Sequence, residues 1–231
     1  MTTDLTDNTI IGNYLDYIKN EDFPCIAAKA ALGREQIKCL VADHIACPHD
    51  DQRILDFMYD FVDNYRNSTE LYHSATIIFK GPENIDEQSF DRFLWMRLQA
   101  ISNLDLVNYS YDDRVDSNPH SADFSFSLKE EAFFVIGMHP GSSRMTRQFQ
   151  YPTLTFNPHA QFEQLRELNK FEKMQEVVRK RDLKYSGSVN PMLKDYGVAS
   201  EVYQYSGRQY DENWKCPFKI NNAKSDHNTA A

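Results

Sequence analysis

The chain has no apolar run approaching the roughly 20 residues that a membrane-crossing helix needs, so no membrane role is expected. Its start carries neither a basic segment nor a signal-like hydrophobic stretch, and the expected location is the cytoplasm. Positive charge is also in short supply: 25 Lys and Arg stand against 34 Asp and Glu, a formal net charge of −9. A nucleic-acid backbone would be repelled overall, and no basic stripe interleaved with aromatics reverses that. The one dense cationic run, Arg179-Lys180-Arg181, falls at the end of an expected helix, where it complements the helix dipole. Cys25, Cys39, Cys47 and Cys216 are too few and too scattered for a disulfide framework in 231 residues, which fits a reducing compartment. Glycine-rich phosphate loops, Gly-x-Ser-x-Gly elbows, His-Glu-x-x-His motifs and internal repeats are all missing. His44, Cys47 and His49, with Cys39 upstream, have no second tight pair of ligands, so zinc is not expected there.

What is present is the material of a folded domain: 41% hydrophobic residues supply a core, and 13% aromatics argue against disorder. Aromatics suit a flat apolar ligand, although most simply fill cores. Helical spacing marks 9–19, with Asp7 and Asn8 as candidate caps, then 27–32 up to Gly33, 50–65 and 86–104. Strands are expected at 37–42, 74–79, 124–128, 132–136 and 153–156. Asn157 followed by Pro158 predicts the start of one long helix running to about Arg181. Beyond Tyr185 the chain is rich in Ser, Gly, Asn and Pro without periodicity. The expected fold is a single α+β domain over 1–221, a mixed central β-sheet flanked by helices with a coil-rich C-terminal segment, followed by a disordered tail at 222–231.

Three stretches can carry chemistry. Gly137-Met138-His139-Pro140-Gly141-Ser142-Ser143-Arg144, with Arg147 beyond, gathers polar groups directly after a buried strand and suits an anion; a solvated loop would look the same. His159, Glu163 and Arg166, four and three apart, share one helical face, as a surface ion-pair row also would. The coil containing Asn190, Tyr205-Ser206-Gly207-Arg208 and Trp214-Lys215-Cys216-Pro217-Phe218 can wrap a planar ligand or strap a core edge.

Ordered blocks of sequence resemble the YqcI/YcgG family over almost the whole chain: FPCIAAKAAL (23–32), FLWMRLQAISNLD (93–105), 124–167, NPMLKDYG (190–197), QYSGR (204–208) and WKCPF (214–218). The group includes guanitoxin-pathway N-hydroxylases, so the resemblance implies a haem b cofactor and a monooxygenase that places oxygen on a nitrogen of a guanidino or amino substrate. The substrate carries over less safely than the cofactor. Axial-ligand candidates on matched blocks are His139, His159, Cys25 and Cys216, with histidine preferred and the choice between the two open. Arg144, Arg147 and Arg208 are candidates for the haem propionates, with Ser143 beside them. Glu163, Glu201, Asp195 and Asn190 are candidates for a cationic substrate. No flavin or nicotinamide fingerprint accompanies them, so electrons are expected from a separate reductase or from peroxide. The remaining partner expected is a small-molecule substrate, with a homodimer allowed; a haem-binding protein without turnover is the rival expectation.

Overall fold

The computed structural model describes residues 6–221. The β-branched and aromatic runs form β1 (Ile37–His44), β2 (Ser74–Gly81), β3 (Phe126–Leu128), β4 (Glu131–Met138) and β5 (Thr153–Pro158). They join in one mixed sheet, order β1-β2-β5-β4-β3, in which β1 and β2 are parallel and the other pairs antiparallel. The parallel pair needs a crossover, which α3 (Asp51–Arg66) supplies. Lys129 and Glu130 close the β3–β4 hairpin with both φ values positive, the pattern of a two-residue turn. Asp105 accepts from Lys129 N and Arg66 donates to both turn carbonyls, so this left-handed pair is held from outside.

Strand periodicity divides the sheet into two faces. Ala75, Ile77 and Phe79 of β2, Phe133 and Val135 of β4, and Leu154 and Phe156 of β5 pack against α3 and α4 (Glu87–Asp105). Ile54, Met58, Phe90, Leu94, Leu98 and Ile101 complete this side with no exposed surface, each contributing about 1.5–3 kcal/mol by burial. The opposite face carries Ile78 and Met138 but also Thr76, Thr155 and Asn157, and is covered by α1 (Asp7–Lys19) and α2 (Ile26–Gly33). There Tyr14 Oη lies 3.0 Å from Thr155 Oγ1. The whole is a single-domain α+β arrangement, and no helix among the described residues is long and apolar enough to cross a membrane.

Three expectations need correction. Thr6, not Asp7 or Asn8, caps α1, its hydroxyl accepting from Thr9 N. Asn157 lies inside β5, where it donates to Phe134 O and accepts from Ser74 Oγ; Pro158 holds the cap position of the next helix. The long helix is two helices, α5 (His159–Glu167) and α6 (Phe171–Ser186). Between them Asn169 is left-handed at φ 54, Lys170 N donates to Leu165 O and Asn169 N to Arg166 O. That is a Schellman closure, in which asparagine takes the place usually held by glycine. The cationic run therefore sits inside α6, engaged by Asp195, by Glu176, and by the carbonyls of Glu21 and Phe23. The coil-rich end contains a short α7 (Val202–Tyr205), and the expected tail at 222–231 lies outside the described residues.

Candidate functional site

On the less filled face, α1, α2, α5, α6 and the 187–204 coil enclose a cavity of about 330 Å³ against β4 and β5. This is at the lower end of the range for small-molecule sites. Apolar side chains dominate its walls, among them Ile18, Phe134, Ile136, Phe162, Met174 and Val178. Its outer cover is loosely packed: from 166 to 199 no residue is buried, and α6 buries none of its sixteen.

Two groups of charged side chains meet this cavity. His159, first residue of α5, is 8% exposed and its Nδ1 has no hydrogen-bond partner. The imidazole lies between two carboxyl groups, with Nε2 3.4 Å from Glu163 and Nδ1 3.7 Å from Glu201, while the Tyr196 ring lies 4.3 Å from it, centre to centre. Glu201 accepts from Ser125 Oγ at 3.0 Å and Tyr205 Oη at 3.1 Å, so its position is fixed from behind. Glu163 is half exposed and also meets Arg166, as their helical spacing predicts.

The second group is Arg144 and Arg147. Arg144 pairs with Asp182 of α6 at 2.6 Å and donates to Ser188 O. Arg147 donates to the carbonyls of Gly137, Tyr205 and Gln204. Among the described residues it has no ion-pair partner, although it is only 9% exposed. Burial first, and the neighbouring Arg144 charge second, pull its pKa down to about 10. Carbonyl dipoles and, at longer range, the Asp182 carboxylate are what compensate this buried cation, which leaves it suited to an approaching anion.

Of the residues singled out from the sequence, His159, Arg144, Arg147, Asn190, Asp195, Glu201 and Cys25 line this cavity, and Glu163 touches His159 at its edge. Asp195 is already tied to Gln175 and Arg179. His139, Ser143, Arg208 and Cys216 do not line it. His139 stacks on Phe90 of α4, ring centres 4.3 Å apart, and burial lowers its pKa to about 4. Ser143 N donates to Glu87, Arg208 reaches Asp91, and Cys216 joins the closed core. Cys25 Sγ caps α2 by accepting from Ala28 N, and burial pushes both this thiol and that of Cys216 up, away from the thiolate that binds metal. His44 accepts from Ala46 N; the one cluster of metal-ligand type among the described residues, Asp43, His49 and Asp50, takes in neither cysteine nor His44.

Asp182, Tyr196 and Gln204 were not foreseen from the sequence. Met174, Gln175, Val178 and Asp182 recur at helical spacing, a mixed face whose partner the sequence alone does not name. Tyr196 comes from aperiodic coil and gave no local signal.

A single α+β domain carrying a histidine between two carboxyl groups and an arginine pair on one apolar cavity is what the fold and site define. The chain belongs to the YqcI/YcgG family, whose model matches residues 14–219. It is similar to "Uncharacterized protein YqcI" of Bacillus subtilis (strain 168), 28% identical over 211 residues that span 87% of this chain and 82% of that protein. No solved structure matches it.

Proposed function

We propose that the cavity holds haem b and that the chain is a monooxygenase acting on a nitrogen of a guanidino or amino substrate. The observation that carries this is His159, a buried cavity-wall imidazole whose Nδ1 lacks a hydrogen-bond partner and faces the anchored carboxyl of Glu201. Metal-binding histidines commonly have their second nitrogen oriented by a carboxylate in this way. Glu201, 3.7 Å from Nδ1, is the carboxyl that would orient that nitrogen, and Nε2, which lies 3.4 Å from Glu163, would be the iron-binding atom. The walls have the apolar character a porphyrin face needs, and Arg147, which has no ion-pair partner among the described residues, would meet a propionate, with Arg144 reaching a second only by giving up Asp182. A porphyrin needs more room than the cavity offers, so the 166–199 cover, in which no residue is buried, would have to move outward to admit it.

Bound haem supplies the oxidising power for oxygen insertion, drawing on dioxygen with an external electron donor or on peroxide. The chain's own part is binding, orientation and exclusion of water. Phe134, Ile136 and Phe162 would keep the reacting region apolar, while Glu163, half exposed at the edge beside His159, would meet a cationic substrate group by exchanging its Arg166 partner for it. Asn190, also on the wall, adds an amide for hydrogen bonding to the substrate.

Haemin titration followed by the Soret band tests this reading. His159→Ala is expected to abolish or displace the band while His139→Ala leaves it in place, and Glu163→Gln should keep the band but impair N-oxygenation. Wild-type protein with no Soret band, or a wild-type band in His159→Ala, contradicts it.

A further inference from the structure

The chain's two tryptophans and two of its tyrosines form a ladder of rings that starts behind the cavity wall and ends near the surface. Tyr205, fully buried, stacks on Trp95 with centres 5.8 Å apart and planes at 20°. Trp95 lies 6.1 Å from Trp214, which is half exposed and stacks on Tyr210 at 3.7 Å and 19°. At the inner end the Tyr205 ring is 5.9 Å from Phe134 of the cavity wall. At the outer end Tyr210 donates to Asp91, which with Arg208 lines a surface groove along α4 that also reaches the inner rung Trp95.

Each terminal tyrosine has a carboxyl group at its hydroxyl. Tyr205 donates to Glu201, whose other oxygen faces His159, and Tyr210 donates to Asp91, which also accepts from Trp95 Nε1 at 3.0 Å. A neutral phenol loses an electron far more readily when its proton has an acceptor within hydrogen-bond reach, because the alternative is a strongly acidic radical cation. Burial keeps both phenols protonated, so an acceptor is needed at each end, and each end has one. A packed core requires a partner for a buried tyrosine hydroxyl, but not unbroken ring contact from cavity wall to surface.

We propose that Tyr205, Trp95, Trp214 and Tyr210 are a one-electron relay between the cavity and the surface, with Glu201 and Asp91 as proton acceptors. In the cavity it rests on the oxidative reading above, and its task there is to discharge oxidising equivalents when peroxide arrives without substrate. Reduction of one peroxide to two waters takes two electrons and two protons. An electron leaves Tyr205 toward the cavity as its phenolic proton crosses to Glu201. An electron from Trp95 then refills Tyr205, the proton returns, and the deficit moves through Trp214 to Tyr210, whose proton passes to Asp91. A one-electron reductant of the ascorbate class at the surface beside half-exposed Trp214 restores Tyr210, becoming its own radical, and the proton returns from Asp91. Two such passes, with two protons from solvent, complete the reduction.

The first arm of the test needs no cofactor. Azidyl radicals made by pulse radiolysis oxidise tryptophan, and in the wild-type chain the tryptophanyl band should convert to a tyrosyl band at a rate independent of protein concentration. In a Tyr203→Phe background, since Tyr203 also lies 5.3 Å from Trp214, Tyr210→Phe combined with Tyr205→Phe should slow that conversion by about tenfold or more. Unchanged conversion in correctly folded variants, judged by circular dichroism, overturns the relay. In the second arm, haem-loaded protein receives hydrogen peroxide with a spin trap, and adducts are located by mass spectrometry. Adducts at Tyr210 or Trp214 that disappear in Tyr205→Phe support the connection to the cavity; their persistence, or their absence from the wild type, overturns it. Failure to load haem contradicts the proposed function alone, since the first arm still decides whether the ladder conducts.

Discussion

The two faces of the sheet are built to different standards. Against α3 and α4, phenylalanines and aliphatics interlock until an added methyl at Gly137 would come within 2.7 Å of the Phe90 ring. Across the sheet, threonines, an asparagine and paired charges look into a cavity whose outer cover from 166 to 199 buries nothing. One face carries the larger core, and the other, where a smaller cluster holds α1 on the sheet, leaves the rest of its surface to the cavity. Local stability is expected to follow the same division.

Phe90→Ala should break the comparison most forcefully, costing about 3–5 kcal/mol in urea unfolding, whereas Met174→Ala on the cavity side should cost less than about 1 kcal/mol. Equal losses would refute the contrast. Gly137→Ala should cost about 1–3 kcal/mol through overpacking, while Val178→Leu stays within about 0.5 kcal/mol of wild type.

A smaller effect depends on pH. His139, packed on the closed side, has a folded pKa of about 4 against 6.5 when unfolded. Below about 6.5 the unfolded chain takes up a proton that the folded chain refuses, so stability is complete above that pH and declines as pH falls toward about 4. His139→Gln should remove this part of the acid sensitivity; urea midpoints at pH 7 and pH 5 for both proteins, with an unchanged difference, would deny it. The smallest change is Asn169→Ala, expected to cost about 1 kcal/mol because alanine resists the left-handed turn between α5 and α6. Urea unfolding reads it, and a neutral result would remove the argument for that turn.

The elements that make up this division were legible beforehand; the division itself was not. Continuous apolar runs such as Ala132–Ile136 and the helical spacing of Phe90, Leu94, Leu98 and Ile101 announced a central strand and the helix α4, because burial imposes period directly on sequence, but not which sheet face the helix would cover. The break after Glu167 was missed because a left-handed Asn169 can be read equally as an ordinary helix residue. At the site, 159, 163 and 166 were placed together by helical spacing, and the geometry agrees. His139 and His159 could not be separated from sequence, since both follow strands in similar polar company; only the tertiary fold sends one toward Phe90 and the other into the cavity. Long-range partners such as Asp182 for Arg144 and Glu201 for His159 leave no local pattern to find.

Hydrogen exchange with and without haemin tests the division of labour most directly. Amides between 171 and 199 should exchange markedly more slowly when haemin is present, while those of α3 and α4 stay as they are. Protection that rises on the α3–α4 side, or nowhere, would contradict the assignment of the open face to the ligand.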